Sequence, residues 1–266
     1  MSIVLQISDP HFGTEQPPVV EALVELSAQH RPDVVVLSGD VTQRARPKQF
    51  RAAKAFVDRL NVKTLTIPGN HDIPLLDLGA RFLRPYGHFS AEFGIELEPV
   101  FSSRDLLLQC LNTTRRYRHT NGEVSAEQIA RVSSRLLSAQ PEQLRIVVVH
   151  QPVAVLHVED QHDRLRGFAA AVHAWADAGC DLVMGGHIHL PYVTELPGLR
   201  RRMWAVQAGT AVSSRVRDGA PNSVNLLRWG DGDSWKRRCL IEQWDYDEAR
   251  QVFLLKKVTQ VRPARA

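Results

Sequence analysis

Short β-branched runs alternate with amphipathic stretches along the first half of this chain, and that rhythm restricts it to a layered α/β fold. Ile3 to Ile7, Val34 to Leu37 and Thr64 to Ile67 read as buried strands. Between them, Val19 to His30 follows Pro17-Pro18 as a helix, and a second helix runs from Pro47 to Leu60. The second helix places Phe50, Ala53, Phe56, Val57 and Leu60 on one face. The stretch from Ile73 to Ser103 is interrupted by prolines and reads as an irregular insertion over one end of the sheet. Strands are expected again at Leu106 to Leu111, Ile146 to Val149 and Leu182 to Met184. Helices are expected from Ser125, whose Gln128 completes a capping-box spacing, and from Phe168 to Ala178, closed by Gly179. Beyond Val193 helical periodicity fades. Trp204 to Ala208, Ser223 to Trp229, Cys239 to Trp244 and Val252 to Lys256 are expected to build a second, largely antiparallel sheet. No repeat or Gly/Ser linker divides the chain, so residues 1–266 read as a single domain of two sheets flanked by helices.

Polar residues cluster just past the strands. Asp9 and His11 follow the first, Asp40 the second, and Asn70, His71 and Asp72 the third. His150 ends the Ile146 run, and His187 and His189 follow Gly185-Gly186. Open α/β sheets bind ligands beyond the carboxyl ends of their strands, where such positions converge. The preceding glycines permit tight turns and close backbone approach. Asp9, His11, Asp40, Asn70, His150, His187 and His189 offer two carboxylates, one amide oxygen and four imidazoles, without a thiolate. That donor set suits manganese, iron or zinc better than calcium or magnesium. Seven donors exceed what one open catalytic ion needs and suit two divalent or mixed-valence ions about 3.5–4 Å apart.

In order, Asp9-Pro10-His11, Gly39-Asp40, Gly69-Asn70-His71-Asp72, His150 and Gly186-His187-Ile188-His189 resemble the five sequence blocks of the calcineurin-like metallophosphoesterase superfamily. The resemblance covers roughly residues 1–210 and implies a four-layer α/β/β/α sandwich of two mixed sheets, with residues 204–260 completing the second. The Asp-x-His opening and Ala208-Gly209-Thr210 are most similar to the bacterial class III cyclic-nucleotide phosphodiesterase branch. Carried over by position, Asp9, His11 and His189 hold one metal, Asn70, His150 and His187 the other, and Asp40 bridges them. His71 then stabilises the transition state or acts as general acid. Pro10 fills a variable slot, and Gln151 stands where many relatives have a second histidine. The implied reaction is hydrolysis of a phosphodiester by a metal-bridging hydroxide, on cyclic nucleotides or related small diesters. A nuclease or nucleotide pyrophosphohydrolase on the same site is the alternative, and a non-catalytic scaffold is disfavoured because every donor is present.

Several features stay open on the residues alone. Asp72 either orients His71 or starts a helix. Residues 157–166 form either a substrate lid or a solvated loop. Phe12, Tyr86 and Phe89 are either an apolar wall for substrate or core, and Arg215 and Arg217 are candidate phosphate contacts. A net charge of +4 favours anionic substrates and supports nucleic acid only weakly. Its basic clusters are Arg115-Arg116 with Arg118, Arg200 to Arg202, and Lys236 to Arg238. Cys110, Cys180 and Cys239 are too few and scattered for a disulfide frame and read as buried thiols. With no apolar run long enough to span a membrane and no signal peptide, a cytoplasmic location is expected. Oligomeric state is not legible, though a dimer is compatible.

Overall fold

A computed structural model describes residues 1–230 and 238–264. The chain begins β1 (Ser2–Ile7), α1 (Pro17–His30), β2 (Val34–Ser38), α2 (Pro47–Leu60) and β3 (Thr64–Ile67). It continues through α3 (Leu78–Leu83), α4 (Gly87–Phe93), β4 (Val100–Ser102), β5 (Leu106–Cys110), α5 (Ala126–Leu137) and β6 (Leu144–Val148). Then follow α6 (Phe168–Asp177), β7 (Leu182–Gly185), β8 (Tyr192–Glu195), β9 (Trp204–Gln207), β10 (Ser223–Trp229), β11 (Cys239–Asp247) and β12 (Val252–Val261).

Two mixed six-stranded sheets result, ordered β12-β11-β10-β1-β2-β3 and β4-β5-β6-β7-β9-β8. Strand alternation sends successive side chains to opposite faces, so each sheet contributes to two cores. Leu5, Ile7, Val35 and Leu37 pack outward against Leu23 and Leu26 of α1 and Phe50 and Phe56 of α2. Val4, Val34 and Val36 pack inward against Leu108, Ile146, Val148 and Met184 of the other sheet. Val147 and Val183 face outward to Val132 and Leu136 of α5 and Trp175 of α6. Three apolar interlayers therefore bind four layers, α/β/β/α, as the resemblance implies.

The C-terminal strands correct the expected sheet assignment. Only β9 enters the second sheet, where it runs parallel to β7. β10 instead pairs antiparallel with β1, aligning Leu5 with Leu226, and β11 and β12 extend that first sheet. The free edge of β1 explains the choice. Filling it places Val224 and Leu226 in the helix-facing core and Leu227 and Trp229 between the sheets. The insertion after Ile73 is also more regular than its prolines suggest. Its helix α4 docks on the outer helix layer, with Phe89 fully buried and edge-on to Phe50.

Phe12 packs on Phe56 and Phe89 is fully buried, so two of the three aromatics are core, while the third, Tyr86, packs against that core with its hydroxyl bonded to Thr114. The three cysteines are free and buried, and burial pushes their thiols up. Among the described residues no helix is long and apolar enough to cross a membrane. Lys236 and Arg237 of the last basic cluster lie outside the described residues.

Candidate metal centre

The β1–β2 ladder continues past both strands and carries the first loops with it. Asp9 N–H donates to Gly39 O at 3.1 Å, His11 N–H to Asp40 O at 3.1 Å, and Phe12 N–H to Val41 O at 2.9 Å. Within these turns and the loop after β7, Asp9, His11, Asp40, His187 and His189 all have positive φ, between 44° and 75°. Left-handed backbone is uncommon for such residues and concentrates at functional sites, where surrounding structure over-determines it. Two glycines show how tight the packing is. A Cβ at Gly39, whose φ is +99°, would lie 2.3 Å from His150 Nδ1, and one at Gly186 would lie 1.9 Å from Ser8 Oγ and 2.4 Å from Asp9 Oδ2.

These loops converge on two donor groups. Asp9, His11 and His189 form one, and Asp40, His150 and His187 the other, each with ligand-type atoms within 4.8 Å of one another. Asn70 Oδ1 joins the second at 3.2 Å from His150 Nε2. Asp40 sits between the groups, with Oδ1 3.3 Å from His150 Nε2 and Oδ2 3.8 Å from His11 Nε2. The structure thus gathers all seven sequence-predicted donors. His11 Nε2 and His189 Nε2 lie only 3.0 Å apart, and Asp9 Oδ1 is buried without a hydrogen-bond partner. Buried polar atoms are rarely left so, and a cation is the natural complement to an orphaned carboxylate oxygen among imidazole lone pairs. The donor set fits two metal ions.

Outer contacts fix the rings. His150 Nδ1 is 2.9 Å from Ser38 O, and His189 Nδ1 is 2.7 Å from Arg215 O. A ring N–H donating to each carbonyl leaves Nε2 as the free lone pair, the usual support for a metal-binding imidazole. Charges couple strongly here. Burial alone favours a neutral Asp9, but His189 and His150 outweigh it and hold the carboxyl at about 2. Burial lowers His11 to about 3, whereas the Asp40 carboxylate overcomes burial at His150 and raises it to about 9.

Asp72 does not reach His71. Its Oδ1 accepts from Thr42 N–H and Thr42 O–H, both at 2.8 Å, and its Oδ2 from Val41 N–H at 2.9 Å and Gly69 N–H at 2.8 Å. It ties the Asp40 loop to the Asn70 loop, and burial with the nearby Asp40 charge pushes its pKa up to about 7. His71 is oriented instead by Gln43 O, 3.0 Å from Nδ1. Its Nε2 faces Arg215 Nη1 at 3.2 Å, and that guanidinium also donates to Gln43 Oε1 at 3.0 Å. Gln43 escaped sequence reasoning because it acts largely through its carbonyl, which carries no residue-type signal.

An open cleft of about 430 Å³ extends from Asp40 and His71 past Arg215, Arg217, Asp163 and His119. Arg217 reaches its rim but is paired with Asp160 at 2.9 Å. The 157–166 segment contains a 3₁₀ stretch, Val158–Asp163, and its Asp163 lies 3.5 Å from His187. Gln151 is buried, accepting from Thr113 Oγ1 at 2.6 Å and donating to Thr120 O at 3.3 Å, so it braces the cleft wall.

Two mixed sheets, strand-end loops and paired nitrogen and oxygen donor groups define a metallophosphoesterase scaffold. The profile of the calcineurin-like phosphoesterases matches residues 3–191, and the chain belongs to that family. A glycerophosphodiester phosphodiesterase, GpdQ, of Enterobacter lignolyticus is 31% identical over 94 residues, covering 31% of this chain and 33% of the relative. A cAMP/cGMP dual specificity phosphodiesterase of Mycobacterium tuberculosis is 23% identical over 207 residues, covering 74% of this chain and 63% of the relative. The chain thus matches less than two thirds of the length of either. In fold, a dimetal phosphatase from Danio rerio superposes over 99% of both chains with a TM-score of 0.71 at 11% identity.

Proposed function

We propose that this chain hydrolyses small phosphodiesters, cyclic nucleotides or their relatives, with two metal ions, in the manner of the class III branch. The observation carrying this reading is the Asp40 carboxylate, one oxygen toward each donor group, beside an orphaned Asp9 oxygen. Asp9, His11 and His189 would hold one ion and Asn70, His150 and His187 the other, with Asp40 shared. When bound, such ions neutralise phosphate charge and lower the pKa of water. Manganese, iron and zinc all suit these donors.

The chain's own groups supply the rest. Burial, with the Arg215 charge, lowers the pKa of His71, so its Nε2 offers a lone pair at neutral pH. Arg215 therefore provides the N–H donors facing a phosphoryl oxygen, and His71 and Gln43 hold the guanidinium in place. This favours charge stabilisation by the His71–Arg215 pair over general-acid catalysis by His71. A small diester is preferred to nucleic acid because five arginines of the first two basic clusters are already engaged within the chain. Arg115 and Arg116 donate to carbonyls, while Arg118, Arg201 and Arg202 pair with Glu123, Asp181 and Glu195.

The test is turnover with Mn²⁺ of bis-p-nitrophenyl phosphate, p-nitrophenyl phosphate, cyclic AMP and a single-stranded oligonucleotide in parallel. Diester hydrolysis exceeding monoester and oligonucleotide hydrolysis is expected. Faster monoester turnover, or none at all with any divalent metal, overturns the proposal.

A further inference from the structure

The Val158–Asp163 turn meets the second donor group at His187, and the segment around it is fastened to neighbouring parts of the chain at several points. Asp160 pairs with Arg217 at 2.9 Å, Asn121 Nδ2 donates to His162 O at 2.6 Å, and the Arg164 guanidinium lies 3.5 Å over the Phe168 ring. Backbone bonds Leu165 N–H to Pro152 O and Arg166 N–H to Gly122 O, at 2.9 and 3.0 Å, close the far end. A segment held in this way delivers a side chain to a fixed place.

That side chain is Asp163. Its Oδ1 lies 3.5 Å from His187 Nε2, while Oδ2 lies 3.4 Å from the exposed His162. The other nitrogen of His187, Nδ1, is buried and has no hydrogen-bond partner. His187 thus differs from His150 and His189, whose Nδ1 atoms are taken by backbone carbonyls. With its Nε2 against a carboxylate, the nitrogen left to a cation is Nδ1. A histidine whose far nitrogen faces a carboxylate is oriented and made more basic toward a metal by that contact.

We infer that Asp163 is a positioning residue for the second metal pocket, holding His187 Nε2 so that the buried Nδ1 is presented to the ion. The 157–166 segment is then a fixed outer wall of the centre rather than a lid. This rests on the binuclear reading of the site. It assigns a role to a residue that belongs to none of the five motif blocks, thirteen positions past His150 on a connecting turn.

The experiment is Mn²⁺ and Co²⁺ binding to the full chain by equilibrium dialysis with metal analysis, together with the visible spectrum of the Co²⁺ protein. Asp163→Ala is expected to weaken the second ion by about 10–100-fold and leave the first unchanged. Its metal-free melting temperature should stay at the wild-type value. Asp163→Asn keeps an oxygen acceptor for His187 Nε2–H, so it should recover most of the affinity while shifting the Co²⁺ spectrum. Wild-type affinity and spectrum in Asp163→Ala overturn the inference. So does equal weakening of both ions together with a lowered metal-free melting temperature, which would make Asp163 a general structural support. A wild-type chain that takes up fewer than two ions refutes the binuclear reading itself, and shows this before any variant is compared.

Discussion

Replacing Asp72 with Asn separates two roles that the sequence leaves open. The carboxylate receives four donors, two on each oxygen, and is buried at 1% exposure. Asparagine keeps one oxygen. Were the amide to occupy the Oδ2 position, the N–H groups of Val41 and Gly69 would both face an NH₂. Turned the other way, only Thr42 N–H is orphaned, because the Thr42 hydroxyl can rotate to accept instead. The second arrangement costs less. One buried donor without an acceptor costs about 1–3 kcal/mol, so Asp72→Asn should destabilise the fold by about that amount. Asp72→Ala strands three backbone donors, at least about 3 kcal/mol, in a fold whose whole margin is of order 5–15 kcal/mol. Urea unfolding of chelator-treated protein measures both without a metal contribution. Because Asp72 joins the Asp40 and Asn70 loops, metal affinity should fall in the same order, Asn before Ala. Unchanged unfolding midpoints with a lowered kcat in both variants would refute this reasoning and return Asp72 to His71.

Arg215→Met removes a charged donor worth about 1.5–3 kcal/mol and should lower kcat/KM by about 10–150-fold. Metal content should be unchanged, since His189 is held by the Arg215 carbonyl, which the substitution retains; loss of metal would contradict the phosphate-facing role. Gly186→Ala forces a methyl group to within 1.9 Å of Ser8 Oγ and should displace Asp9, so metal analysis of the variant should show the Asp9 group emptied first. Burial depresses His11 from 6.5 to about 3, so between those values the unfolded chain binds more protons than the metal-free fold. That contribution to stability is therefore present above pH 6.5 and is lost as pH falls toward 3. His11→Gln should flatten the metal-free stability profile in this window by up to about 1.4 kcal/mol per pH unit, and parallel profiles would rule the account out.

The legible parts of this protein are those where residue type alone decides. Buried strands announce themselves by runs such as Val34 to Leu37, and the Ser125 to Gln128 capping box opens α5 as its spacing predicts. The donors were legible because carboxylates and imidazoles after such runs have few structural uses in that order. Pairing partners are different. Whether β10 joins β1 or β9 depends on edges separated by more than two hundred residues, and the alternating pattern of Ser223 to Trp229 suits either place. Roles carried by position are equally silent in the sequence. Asp72 and Asp163 are both acids near a metal motif, yet one clamps backbone and the other faces His187.

The backbone carries the last step. Asp9, His11, Asp40, His187 and His189 occupy left-handed conformations, while Asn70 and His150 do not. Left-handed backbone turns a side chain sharply off its strand, which is how loops from both sheets can aim at one small volume. Such conformations cost about 1–3 kcal/mol each and persist only under surrounding constraint. Here that constraint comes from the extended β1–β2 ladder, the Asp72 clamp and close glycine contacts. Contacts among backbone and supporting side chains thus hold loops of both sheets over one volume, in which His11 Nε2 and His189 Nε2 stand 3.0 Å apart.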